Sequence, residues 1–123
     1  MTYLNNPGSG FTLKVAETEV FNANSPAVSA WTDLDISAVV GAQPAFVILK
    51  LVPATTNYMA VRKNGDVGEY YLPAAYPTGI ANAKGDPAIT VALGVFTDDA
   101  GVIEWRYTSV NTNIVITIMG YVS

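Results

Sequence analysis

The chain has 123 residues with no cysteine and no histidine, six Lys plus Arg against ten Asp plus Glu, and 13% charged beside 50% hydrophobic residues. That length suits one domain able to hold its own core, while the missing cysteine removes disulfides and thiolate metal sites and the missing histidine removes the commonest general base and zinc ligand. Scattered basic residues on an acidic chain provide no electrostatic stripe for nucleic acid, and so little charge leaves much of the surface neutral, a composition that favours cover by other subunits.

Asn5-Asn6-Pro7-Gly8-Ser9-Gly10 is rich in turn formers and poor in packing groups. It predicts a flexible arm over residues 1–10, followed by a single β-sandwich domain over 11–123. Tyr3 and Leu4 are the arm's candidate subunit contacts, as apolar anchors against a neighbouring copy. Gly8-Ser9-Gly10 follows no strand and has no value as a nucleotide motif. The N-terminus has neither a basic nor an apolar signal region, and the longest apolar run, residues 45–52, is short and contains Lys50. The expectation is no signal peptide and no transmembrane segment.

Phe11, Leu13 and Val15 alternate with Thr12 and Lys14, the period of two of a half-buried strand. Regular continuation would put Glu17 and Glu19 on the apolar face, so a bulge or turn is expected at residues 16–18. Val20 and Phe21 begin a second short apolar piece that ends at residues 22–26. From Trp31 onward, Asp33 and Asp35 project one way and Leu34 and Ile36 the other. Ser37-Ala38-Val39-Val40-Gly41 reads as a single helical turn with Ser37 as cap and Gly41 as stop.

Residues 45–52 are almost continuously apolar, which predicts a strand buried on both faces and ended by Pro53. Residues 58–63 form another strand, closed by Asn64-Gly65, a hairpin-turn dipeptide. Pro73, Pro77 and Pro87, with Gly79 and Gly85 between them, make residues 73–87 a long irregular connection, and Tyr76 on it is a further candidate subunit contact. Thr97-Asp98-Asp99-Ala100-Gly101, set between apolar residues 89–96 and alternating residues 102–107, reads as a β-hairpin. Asn111-Thr112-Asn113 marks a last turn. Ile114, Ile116 and Ile118 then alternate with Val115, Thr117 and Met119 in a strand apolar enough on both faces for a central position. No helical spacing persists over three turns, so the fold is all-β: an antiparallel β-sandwich, jelly-roll-like, of about 8–9 short strands.

Asp98, Asp99 and Glu104 are the densest acidic group, but Asp in a turn is explained by bonds to nearby backbone N–H groups, and Glu104 alternates with Val102 and Arg106 on one strand face. Asp33 and Asp35 share a strand face toward solvent or a subunit. Arg62 and Lys63 read as solvated charges closing a hairpin, paired with Asp66 or Glu69 at ~0–1 kcal/mol. No residue is assigned a catalytic, cofactor-binding or metal role. Among the aromatics, adjacent Tyr70 and Tyr71 are the candidate glycan contacts, because neighbouring strand residues point opposite ways.

The runs Trp31-Thr32-Asp33-Leu34-Asp35-Ile36-Ser37, Val40-Gly41, Phe46-Val47-Ile48-Leu49-Lys50, Arg62-Lys63-Asn64-Gly65-Asp66, Thr97-Asp98-Asp99-Ala100-Gly101-Val102-Ile103-Glu104-Trp105 and Met119-Gly120-Tyr121-Val122 together resemble small β-sandwich structural proteins of tailed bacteriophages. The likeness runs over residues 31–122 and rests on strand and turn residues. It implies a non-enzymatic viral protein of the virion, a capsid decoration, head-fibre or tail-associated subunit. Such a subunit works as a homo-oligomer, a trimer being favoured, and docks on other virion proteins such as capsid or tail. The alternative class is a carbohydrate-binding or receptor-binding module for a host-surface glycan. No cofactor, nucleic acid or membrane is an expected partner.

Overall fold

The computed structural model describes residues 12–54, 58–67, 70–71, 77–78, 81–84 and 91–123. The elements in chain order are β1 (Leu13–Asn24), β2 (Thr32–Asp35), α1 (Ser37–Val40), β3 (Phe46–Pro53), β4 (Tyr58–Lys63), β5 (Tyr70–Tyr71), β6 (Pro77–Thr78), β7 (Ala81–Lys84), β8 (Val91–Phe96), β9 (Val102–Tyr107) and β10 (Asn113–Val122). Two four-stranded antiparallel sheets, in the orders β1-β10-β3-β8 and β2-β9-β4-β7, carry the fold, with β5 and β6 as a short separate ribbon. The protein is an all-β sandwich.

Pairing is nested: β1 pairs with β10, β2 with β9, β3 with β8 and β4 with β7. Each member of the first half of the chain thus meets its counterpart counted back from the end. From β1 to β10 the strands follow one long antiparallel ribbon, folded over so that they are shared between two sheets. Alternation then sorts the side chains. Val47, Leu49 and Leu51 of β3 and Ile114, Ile116 and Ile118 of β10 are buried, and they share one core with Leu34, Met59, Val61, Ile103 and Trp105 from the opposite sheet. Phe21 of β1 reaches Trp105 of β9 across the core, with ring centroids 4.9 Å apart and planes at 57°.

The bulge expected at residues 16–18 is present. The β1–β10 register shifts between Val15 and Thr18, where Glu17 takes φ 44°, and shifts again between Glu19 and Phe21. The two apolar pieces are therefore one strand. Leu13 and Val15 are not its buried side; they are 67% and 82% exposed on the outer face, and the slips bring Val20 and Phe21 toward the core instead. β10 is central, as its two apolar faces suggest.

Four local expectations are corrected. Residues 97–101 do form a turn, with Asp98 N–H donating to Val102 O at 3.0 Å and Gly101 N–H to Asp98 O at 3.1 Å. They do not form a hairpin, however, because β8 pairs with β3 in one sheet and β9 with β2 and β4 in the other. The turn is a corner between layers. Asn64-Gly65 likewise turns the chain, yet β4 pairs with β7 and β9 rather than with the residues that follow the turn. In α1, Ile36 occupies the N-cap without a side-chain bond; Ser37 is already helical, and its N–H donates to Asp35 Oδ1 at 2.9 Å. Within the supposedly irregular 73–87 connection, Pro77–Thr78 and Ala81–Lys84 are strands, because β4 supplies β7 with a ladder that local composition does not announce.

The corner between layers depends on Gly101. Its φ is +77°, and an added Cβ would lie 2.3 Å from Gly41 O and 3.0 Å from Ser37 Cβ, while its own carbonyl accepts the Ile36 N–H at 3.1 Å. Gly65 also has a positive φ, +82°, but open space around it. Gly65→Ala is expected to cost about 1 kcal/mol from backbone strain alone, and Gly101→Ala about 3 kcal/mol or more because the collision is added. Urea unfolding of the two variants measures the difference; equal losses would contradict the packing account of Gly101.

Candidate functional site

The two outer faces of the sandwich differ in chemistry. On the sheet β2-β9-β4-β7, Asp33 stands opposite Glu104 and Arg62 opposite Glu104 on its other side, so the register alone assembles a charged row. Arg62 and Glu104 occupy outward positions yet are only 8% exposed. Arg62 Nε donates to Glu104 Oε2 at 2.9 Å and its Nη2 lies 2.8 Å from the same oxygen, while Gly65 N–H donates to Glu104 Oε1 at 2.9 Å. The Trp31 ring covers the guanidinium with its centroid 4.0 Å away. Arg62 is thus held in a buried pair with Glu104, a partner that the expected solvated pairing with Asp66 or Glu69 does not include; Glu69 lies outside the described residues.

At the end of this sheet the two turns are tied together. Asp98 Oδ1 accepts the N–H groups of Ala100 and Val102, both at 2.9 Å, and Asp98 Oδ2 accepts from Asn64 Nδ2 at 2.8 Å. Desolvation pushes the Asp98 carboxyl up, but the bonds from Asn64, Val102 and Ala100, with the charge of Lys63, outweigh it and hold the group below the ordinary carboxylate value. Asp35 is also held low, chiefly by its hydrogen bonds with Ser37. An open depression of about 440 Å³ lies between the turns, lined by Lys63, Asn64, Gly65, Asp66, Val67, Asp98, Asp99 and Ala100. The Asp98 oxygens that border it already accept bonds from the protein, which makes the carboxylate an architectural clamp. Among the described residues no three His, Cys, Asp or Glu side chains converge to hold a metal ion.

The sheet β1-β10-β3-β8 presents the opposite character. Its register aligns Leu13, Val122, Phe46 and Phe96 in one row across all four strands, and Val15, Gly120, Ile48 and Gly94 in the next. Phe46 and Ile48 are each 37% exposed and Phe96 53%. The expectation that residues 45–52 are buried on both faces is thus corrected: Val47, Leu49 and Leu51 fill the core while Phe46 and Ile48 form an apolar outer surface. Phe46 lies across its neighbour strand, since a Cβ on Gly94 would come within 2.5 Å of its Cζ, and its ring centroid is 5.1 Å from that of Phe96 at an interplanar angle of 58°. The following row, Glu19, Thr117, Lys50 and Ala92, restores polarity and bounds the patch.

The candidate contacts Tyr3, Leu4 and Tyr76 lie outside the described residues, as does the arm at 1–10. Tyr70 and Tyr71 form β5 and pair with Thr78 and Pro77 of β6. Sequence reasoning passed over Phe46, Ile48 and Phe96 as surface residues. An outward apolar face and two-sided burial leave the same unbroken apolar run, so periodicity could not separate them. No helix of the described residues is long and apolar enough to cross a membrane. No family model and no curated protein matches this chain.

Removing one member of a buried ion pair leaves the other charge uncompensated. Glu104→Ala is expected to destabilise the fold by about 3–5 kcal/mol in urea unfolding, and a loss within 1 kcal/mol, as for a surface pair, would refute the buried geometry. Because Asp98 titrates lower in the folded than in the unfolded chain, it contributes stability above the ordinary carboxylate range near 3.9, and that contribution fades as pH falls through its lowered folded value. Asp98→Asn should therefore flatten the acid side of the stability profile and leave its slope above pH 6 unchanged, as followed by thermal melts from pH 2 to 7.

Proposed function

We propose that the protein is a non-enzymatic structural subunit of a virion, a capsid decoration or tail- or fibre-associated protein that acts by self-assembly and by docking on other virion proteins. The observation that supports this reading is the pair of apolar, uncharged rows at one end of the outer face of β1-β10-β3-β8, which cross all four strands. An apolar face of that extent on a chain with 13% charged residues is a surface built to be covered. The phage-protein resemblance of residues 31–122 supplies the virion setting, and a homo-oligomer, with the trimer favoured, follows from it. The polar end of the sandwich fits the same role: the Asp98 and Glu104 carboxylates there are engaged in holding turns and an arginine.

Size-exclusion chromatography with light scattering at micromolar concentration tests the reading. A mass that is a multiple of the 13.0 kDa chain, three-fold in the favoured case, is expected. A strict monomer over the whole concentration range would remove it.

A further inference from the structure

Three properties of the apolar rows bear on what covers them. The first is area. Leu13, Val15, Phe46, Ile48 and Phe96 are 67%, 82%, 37%, 37% and 53% exposed. At roughly 200 Å² per large side chain these five present about 550 Å², the upper end for the largest patch on a monomer and about two-thirds of the ~800 Å² each partner buries in a standard interface.

The second is charge. The chain carries a net charge of −4, so packing between two copies is less opposed where neither contributes charge to the contact. Neither apolar row contains a charged residue, whereas the opposite sheet displays Asp33, Asp35 and Arg106. The third is the edge. β1 ends its sheet, but its register slips twice, Glu17 sits at φ 44°, and Lys14, Glu17 and Glu19 lie along it. Bulges and charges of this kind discourage strand addition at β1, the edge that borders Leu13 and Val15.

We propose that the Leu13–Val15, Phe46–Ile48 and Phe96 end of the outer face of β1-β10-β3-β8 is the surface through which one copy of this chain packs against another. The proposal rests on the self-assembling reading above and adds to it the surface that is used and the one that is not. The contact is face to face, apolar at its centre and rimmed by Glu19, Thr117 and Lys50, and it leaves the charged sheet free for other partners.

Sedimentation velocity of the full chain from about 1 to 100 µM decides it, with Val15→Lys and Phe96→Lys compared to wild type and Asp33→Lys as a charge change on the other sheet. Placing a lysine in an uncharged contact is expected to weaken association at least ~10-fold in each of the first two, while Asp33→Lys associates like wild type. Circular dichroism establishes that each variant is folded; where a lysine disturbs the fold, Val15→Ser and Phe96→Ser replace it, with a weakening of at least threefold expected. Oligomers that persist within twofold of wild type in both positions overturn the proposal and leave self-assembly through another surface standing. A wild-type chain that stays monomeric overturns both.

Discussion

Everything in this sandwich waits on one insertion: β10 must enter between β1 and β3, so that the chain's far end completes the sheet its beginning started. Leu13 opposes Val122, a pairing that spans nearly the whole molecule. Long-range closure of this sort spends loop entropy before ladder bonds and burial return it, which makes such folds slow and strongly cooperative. The sequence of β10 meets the demand, with Ile114, Ile116 and Ile118 all buried in the core. A second lock holds the far end of β1. The buried Ser25 hydroxyl donates to Ser109 O at 2.6 Å and accepts the Thr112 N–H at 3.1 Å, while the Ser25 N–H donates to Thr112 O at 2.8 Å. These three bonds tie the exit of β1 to the turn before β10, so both ends of the inserted strand are held.

The nested order also separates two kinds of surface. Residues that share an outward row need not be neighbours in the chain; Leu13, Val122, Phe46 and Phe96 come together only through register. On the opposite sheet the same mechanism unites Arg62 with Glu104, and Trp31 then shields the guanidinium. Replacing such a pair by well-packed apolar groups is often neutral, so its net contribution to stability is small compared with the damage of breaking it. Its directional bonds join two residues that stand directly opposite in the β4–β9 register.

What could be read beforehand was local chemistry. The conflict between the Leu13/Val15 alternation and Glu17/Glu19 demanded a bulge, and Val15/Thr18 is where the register slips. The two apolar faces of β10 placed it centrally. Turns lie at Asn64-Gly65 and at residues 97–101, where Asp, Asn and Gly cluster, yet a turn's chemistry is the same whether the next strand rejoins its predecessor or crosses to the other layer, and residues 97–101 cross. Exposure was the harder quantity. Phe46 and Ile48 are as apolar as Val47 and Leu49, and only the packing of the second sheet decides which pair sees water. The Arg62–Glu104 pair was hidden for a related reason, since a separation of 42 residues carries no pattern that links them.

Gly94 has a consequence for how the exposed face behaves. With no side chain at that position the Phe46 ring lies down over the β8 backbone and is braced by Phe96 from the side, so its rotamer is chosen by the protein's own packing. Ordering a free aromatic side chain at a contact ordinarily costs about 0.5–1.5 kcal/mol. Here that ordering is completed during folding. Whatever molecule comes to rest on the face meets a rigid aromatic tile rather than a flexible one, and such stiffness rewards a partner whose contour already matches and penalises those that would have to mould it.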